Sequence, residues 1–202
     1  REAAAAAAAC GCQALGGWAD PALAERSRTA GYEVQRDEKE WQRELSRLEY
    51  RVLRQGGTES PWTSTLLQEK RPGTFKCVAC GNDLFSSSEK FDSGTGWPSF
   101  ASGLPGVEIE EVNPLLMTLA GAELRCGRCG GHLGDVFGDG LLFPGSRAFV
   151  TGRRFCIDGA ALLFQPADGG PATRGEGAEP PPPELPEWLR PPEPQRPGRA
   201  PV

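Results

Sequence analysis

Two short segments, Cys77-Val-Ala-Cys80-Gly81 and Cys126-Gly-Arg-Cys129-Gly130, repeat one local pattern. Two residues between cysteines permit a tight turn that aims both sulfurs at one cation, and the following glycine lets the chain fold back around them. Two such turns supply four thiolates, the closed set of a structural zinc site. The 45 residues between Cys80 and Cys126 mean that the site clamps two distant hairpins of one domain. Other uses fit less well. A redox Cys-x-x-Cys usually opens a helix, and neither segment has a helical pattern after it. Two disulfides need an oxidising compartment, and the sequence shows no signal peptide. Iron–sulfur centres usually draw on three clustered cysteines. Zinc is therefore expected, with iron open until metal analysis, and a metal with all four positions filled does no chemistry.

Around the clamp, the chain divides by composition. The start is Ala- and Gly-rich, and residues 1–36 read either as a flexible segment or as the remnant of an organellar transit peptide. From Pro171 onward there are 11 prolines in 32 residues. Proline removes backbone donors and fixes φ, so residues 169–202 read as a disordered, extended tail. It is either inert or a ligand for a proline-binding module, with Trp188 and Leu189 as its bulky apolar pair. Between them, residues 37–168 are long enough to bury a core.

That core opens with a helical signal. Asp37 and Glu40 form a capping-box pattern, and Trp41, Leu45, Leu48 and Val52 recur at helical spacing until Gly56 and Gly57 stop the run. Beyond Gly57 come short apolar or alternating runs (74–77, 108–112, 115–119, 123–126, 161–164) bounded by Gly, Asn, Pro and Ser. They predict a mostly antiparallel β domain. The net charge of -5 argues against a nucleic-acid partner, which calls for a basic face. No stretch approaches the ~20 apolar residues of a membrane-spanning helix, so no membrane partner is expected.

A fifth cysteine in the core, Cys156 in Arg153-Arg154-Phe155-Cys156-Ile157-Asp158, has no nearby cysteine partner. As a residue type it is either a small buried hydrophobe or a nucleophile. The adjacent cations Arg153 and Arg154 favour the thiolate, the reactive form. The only histidine in the chain, His132, lies three residues before Asp135. The pair supplies either a proton donor with an electrostatic partner or simply a solvated turn.

Phe91-Asp92-Ser93-Gly94-Thr95-Gly96-Trp97-Pro98-Ser99-Phe100 resembles the signature of the peptide-methionine (R)-S-oxide reductases, the B-type methionine sulfoxide reductases. Segments 126–137, 154–157 and 50–59 match the same family in the same order. The resemblance implies a mainly β fold of two antiparallel sheets, the β-tent type, with short N-terminal helices and one structural zinc ion on Cys77, Cys80, Cys126 and Cys129. It implies Cys156 as the nucleophile toward the sulfoxide sulfur. Trp97 is implied as the apolar wall for the substrate methyl group, with Phe137 and Phe155 as further substrate contacts. His132 then protonates the oxygen, with Arg154 assisting the thiolate. The substrates implied are oxidised proteins carrying methionine-(R)-sulfoxide, and the chain is expected to act as a monomer.

The chain departs from the family at three positions. Asp135 stands where many members have a second histidine, and Asp158 where they have asparagine. His132 is accordingly expected as the main acid, with Asp135 or Asp158 setting its charge state. Thr95 stands where many relatives carry a resolving cysteine. An external reductant of the thioredoxin or glutaredoxin type, or a small thiol, is therefore expected over Cys10 or Cys12. A plastid is the expected compartment, with the cytoplasm as alternative. Two other readings remain open: a zinc-clamped binding module with Cys156 as packing, and an interaction protein working through its Pro-rich tail.

Overall fold

The computed structural model describes residues 31–110 and 113–177. The expectations for the Ala-rich start, Cys10, Cys12, Trp188, Leu189 and the run of prolines from Pro180 lie outside the described residues.

The apolar repeat after Asp37 builds two helices where the sequence reading expects one. Helix α1 (Glu38–Glu44) starts in a capping box, with the Asp37 carboxylate accepting from the Glu40 amide at 2.8 Å and the Glu40 carboxylate accepting from the Asp37 amide at 2.9 Å. Leu45 then turns extended, and Ser46 opens helix α2 (Arg47–Gln55) with a second capping box to Glu49. That second box competes with helix continuation and breaks the run. Gly56, in the left-handed region at φ 66°, ends α2 as expected. Trp41, Val52 and Leu53 are fully buried, so both helices bury one face on the domain.

The strands form two antiparallel sheets. In chain order they are β1 (Gly73–Cys77), β2 (Asp83–Ser86), β3 (Lys90–Phe91), β4 (Ser99–Phe100), β5 (Val107–Ile109), β6 (Ala122–Cys126), β7 (His132–Phe137), β8 (Arg154–Ile157), β9 (Leu162–Pro166) and β10 (Thr173–Arg174). One sheet runs β10-β9-β1-β2 and the other β3-β4-β8-β7-β6-β5. Alternation along each strand sends every second side chain inward. The inward aromatics then meet between the sheets. Phe75 of β1 packs edge-on against Phe100 of β4 at 5.0 Å between ring centres, and Phe85 of β2 stacks on Phe100 at 4.4 Å. This mainly β, two-sheet architecture is the expected one.

Two other elements differ from expectation. Residues 115–119, read as a strand, lie in helix α3 (Pro114–Leu119). Pro114 suits a first helical turn, where its missing N–H costs nothing, and Asn113 Oδ1 accepts from the Leu115 amide at 2.8 Å. The second difference is at the far end. The domain does not end at 168, because β10 pairs with β9 and the Arg174 guanidinium reaches the Glu49 carboxylate at 2.7 Å. Glu49 is 0% exposed, and that buried charge needs its cation. One further helix, α4 (Arg147–Thr151), precedes β8. No helix among the described residues is long and apolar enough to cross a membrane.

Candidate active site and thiolate centre

Strands β1 and β6 each end at the first cysteine of a knuckle. Gly81 and Gly130, both at positive φ (72° and 70°), donate back to the carbonyls of Cys77 and Cys126 at 2.8 Å. The four Sγ atoms lie within 4.8 Å of one another. Cys77 and Cys129 are 3.8 Å apart and Cys80 and Cys126 3.5 Å. A metal bound tetrahedrally at ~2.3 Å from each sulfur sets sulfurs about 3.8 Å apart. These distances fit a metal ion and are far too long for disulfides, whose S–S length is ~2.05 Å. Hydrogen bonding among the sulfurs drives the Cys77 and Cys129 thiols up and Cys126 down. Four sulfurs this close cannot all ionise without a cation between them. Because β1 belongs to one sheet and β6 to the other, the centre bolts the two sheets together at one end.

A separate pocket of ≈ 160 Å³ is lined by Thr58, Trp97, Gly134, Asp135, Phe137, Cys156 and Asp158. Strand β8 lies between β4 and β7, which places Ser99 and Asp135 directly beside Cys156 on either side. Asp135 and Cys156 are thus a cross-strand pair on one face. Gly134 makes this closeness available. Its φ is 137°, and a Cβ there meets the Cys156 carbonyl oxygen at 2.2 Å. The Trp97 ring is held by its indole N–H, which donates to the Glu59 carbonyl at 3.2 Å.

The pocket's ionisable groups are all shifted by enclosure. Burial pushes the Asp158 carboxyl up to about 6, against a 2.8 Å hydrogen bond from the Glu59 amide. Burial also raises Asp135. Burial raises the Cys156 thiol too, opposed by the Arg154 charge and a hydrogen bond with Thr95. Arg154 is itself committed. Its guanidinium holds the Asp139 carboxylate at 2.7 and 3.1 Å and lies 4.5 Å over the Phe137 ring. The expected stabilisation of the thiolate by cations is therefore partial, and exposed Arg153 lines a different groove together with Phe155.

The sequence reading brought Trp97, Asp135, Phe137, Cys156 and Asp158 to one place, and the structure places all five around the pocket. His132 is not solvated, as its turn position suggested. It is buried next to the pocket residue Asp158 without itself lining the pocket, with Nδ1 2.8 Å from Glu123 Oε1 and Nε2 3.8 Å from Asp158 Oδ2. Against its own burial, Glu123 is held down at about 2 by His132 and Arg125. Phe155 is not a pocket residue. Alternation along β8 turns it away from Cys156 and into the core, where it is 4% exposed and meets Phe85.

Four residues escaped the sequence reading in these roles: Thr58, Glu59, Glu123 and Asp139. Thr58 and Glu59 lay in a segment noted only for its family match. Glu123 shares its alternating strand face with Arg125, a signal that was available. Asp139 follows a turn and carries no local signal.

Residues 45–166 match the SelR domain. A peptide methionine sulfoxide reductase MsrB of Leifsonia xyli is 45% identical over 137 residues, covering 68% of this chain and 94% of the relative. Those of Bradyrhizobium diazoefficiens and Methanosarcina barkeri are each 41% identical, covering 70% and 68% of this chain and 96% and 92% of the relatives. The matched domain contains every pocket residue and all four clustered cysteines. With both the thiol pocket and the thiolate centre inside the shared region, the chain belongs to the SelR-domain family of MsrB proteins.

Proposed function

We propose that this protein reduces methionine-(R)-sulfoxide in oxidised proteins to methionine. The observation that carries the reading is the pocket itself: one thiol, two carboxyls held for proton traffic, and an apolar wall of Trp97 and Phe137. The substrate methyl group rests on Trp97 while the sulfoxide oxygen faces Asp135 and Asp158. Exchanging the two walls strands a polar oxygen on an aromatic ring, which supports discrimination between epimers.

In the reaction, the Cys156 sulfur attacks the sulfoxide sulfur and a carboxyl supplies the proton to the oxygen. The oxygen passes to the cysteine as the sulfoxide bond breaks. Thiol plus sulfoxide therefore become sulfenic acid plus thioether, with the sulfoxide reduced and Cys156 oxidised. His132 is not among the residues lining the pocket. In this reading Asp158 or Asp135 therefore meets the substrate, and His132, 3.8 Å from Asp158, biases its charge. The sequence reading gave His132 the acid's role and the carboxyls the biasing one.

The sulfenic acid is then returned to the thiol by an external reductant of the thioredoxin or glutaredoxin class, or by a small thiol. Thr95, which acts to lower the Cys156 thiol, carries a hydroxyl and not a second sulfur. We assign zinc to the thiolate centre on its donor set of four sulfurs. A plastid, with the cytoplasm as alternative, remains our proposed compartment, and we propose a monomer.

The test is incubation of the full chain with a reductant and separated R and S epimers, followed by chromatography. Reduction of R alone, lost in Cys156→Ser with its metal retained, is the expected result. Turnover of neither epimer overturns the reading.

A further inference from the structure

Glu59 is 2% exposed, yet backbone amides rather than a cation meet its carboxylate. Oε1 accepts from the Gly159 N–H at 2.6 Å and Oε2 from the Ala160 N–H at 3.1 Å, across 100 residues of chain. Those amides open the 3-10 turn Gly159–Ala161, and the residue that ordinarily caps such a turn is the one before it. Asp158 stands there, is a preferred capping type, and makes no capping bond. Its Oδ1 instead accepts from the Glu59 amide at 2.8 Å, and its carboxyl lines the pocket. The Glu59 carbonyl meanwhile accepts the Trp97 indole N–H at 3.2 Å.

We propose that Glu59 is a positioning residue for the reaction. By capping the Gly159–Ala161 turn in place of Asp158, it keeps the Asp158 carboxyl turned into the pocket beside Cys156 and the Trp97 ring at the pocket wall. The assignment rests on the reductase reading above. A cap alone needs no distant glutamate, because Asp158 is able to cap its own turn. Burying a carboxylate without a cation is also costly. Burial, joined by the charge of Asp158 and opposed by the two amides, holds Glu59 at about 7. A chain built for stability alone has no use for this arrangement; one that needs Asp158 free does. The charged or titratable groups acting on Asp158 include His132, Asp135 and Arg51, and Asp158 itself acts on Glu59 and Cys156.

A double-mutant cycle in the full chain tests this. The value of kcat/KM for a peptide carrying methionine-(R)-sulfoxide is measured between about pH 5 and 9 for wild type, Glu59→Gln, Asp158→Asn and the double variant. Bound metal and melting temperature report on the fold. Glu59→Gln keeps the volume but sets an amide donor against one backbone N–H. It is expected to lower kcat/KM about tenfold or more and to move the low-pH limb, while changing kcat/KM less than about twofold in the Asp158→Asn background. Equal losses in both backgrounds, or an unmoved limb, overturn the assignment.

Should the variants not fold, the wild-type protein decides it by nuclear magnetic resonance. The amide protons of Gly159 and Ala160 and the indole proton of Trp97 are expected to titrate with one midpoint, and separate midpoints refute the clamp. A wild type inert toward both epimers overturns the reductase reading alone, since the resonance titration judges the clamp without turnover.

Discussion

Asp135 stands directly across the β7–β8 ladder from Cys156, and the two share a pocket with Asp158. The Cys156 thiol and a carboxyl able to carry a proton are thereby set on neighbouring strands at the separation of a cross-strand pair, about 5 Å between Cβ atoms. The thiol and both carboxyls are raised by burial. In the proposed mechanism the reactive form holds one proton between sulfur and carboxyl, on the carboxyl.

That proton count sets the pH profile. Below about pH 6, where Asp158 titrates, carboxyl and thiol are both protonated and the nucleophile is lost. Above the raised thiol value, both protons are gone and the acid is lost. A plot of kcat/KM against pH is expected to rise through about 6, level off, and fall on the alkaline side above the ordinary thiol range. Asp158→Asn is expected to remove the limb near 6. A limb that persists in that variant rejects Asp158 as its source.

Asp135→Asn keeps size and a hydrogen-bond donor but gives up the transferable proton. It is expected to lower kcat/KM by less than Asp135→Leu, whose loss should approach the ~100-fold typical of a missing acid. Equal activity of all three proteins, measured on the R epimer, removes Asp135 from the mechanism.

Asp139 shares the charge of Arg154, which otherwise acts on the thiol. Neutralising it in Asp139→Asn leaves more of the Arg154 charge to favour the Cys156 thiolate. The alkylation rate of Cys156 against pH is expected to show its midpoint at lower pH than in wild type. A midpoint that stays or rises contradicts the assigned coupling.

Glu49 and Arg174 provide a stability test away from the pocket. Ending the chain after residue 168 removes β10 and with it Arg174, leaving the Glu49 carboxylate the Ser46 amide but not its cation. Because Arg174 is half exposed, the expected cost is about 1 kcal/mol for the pair, read as a lower melting temperature. Ending it after residue 177 keeps the pair and should leave the melt close to that of the full chain.

Removing the metal is expected to do more. Four clustered cysteines bridge β1 of one sheet and β6 of the other, so binding of a metal there and folding share one free energy, on the order of 10 kcal/mol for structural zinc. Chelation or Cys126→Ser should release one ion per chain and collapse the melting transition. Elemental analysis of the released ion distinguishes zinc from iron.

What the sequence disclosed depended on distance along the chain. The knuckles were legible because two residues between cysteines already imply a turn, whereas the roles given to Trp97 and Cys156 came only from the resemblance of their segments to a family. The break between α1 and α2 was legible in principle, since Ser46 and Glu49 repeat the pattern of Asp37 and Glu40, but the apolar period runs straight across it. Phe155 was misplaced although strand alternation sets it opposite its neighbour Cys156. Glu59 was hidden for a different reason. Its partners lie 100 residues away, and only the closing of the two sheets brings Gly159, Ala160 and Trp97 to it.

Gly134 gives this pocket a ruler. The gap between the sulfur and the carboxyl facing it depends on β7 and β8 lying close at a point where even a methyl group collides with main chain at 2.2 Å. Main-chain atoms cannot rotate aside as a side chain does. The distance between thiol and carboxyl is thus encoded by a missing atom, and no adjustment of the residues around the pocket can restore it once that space is filled.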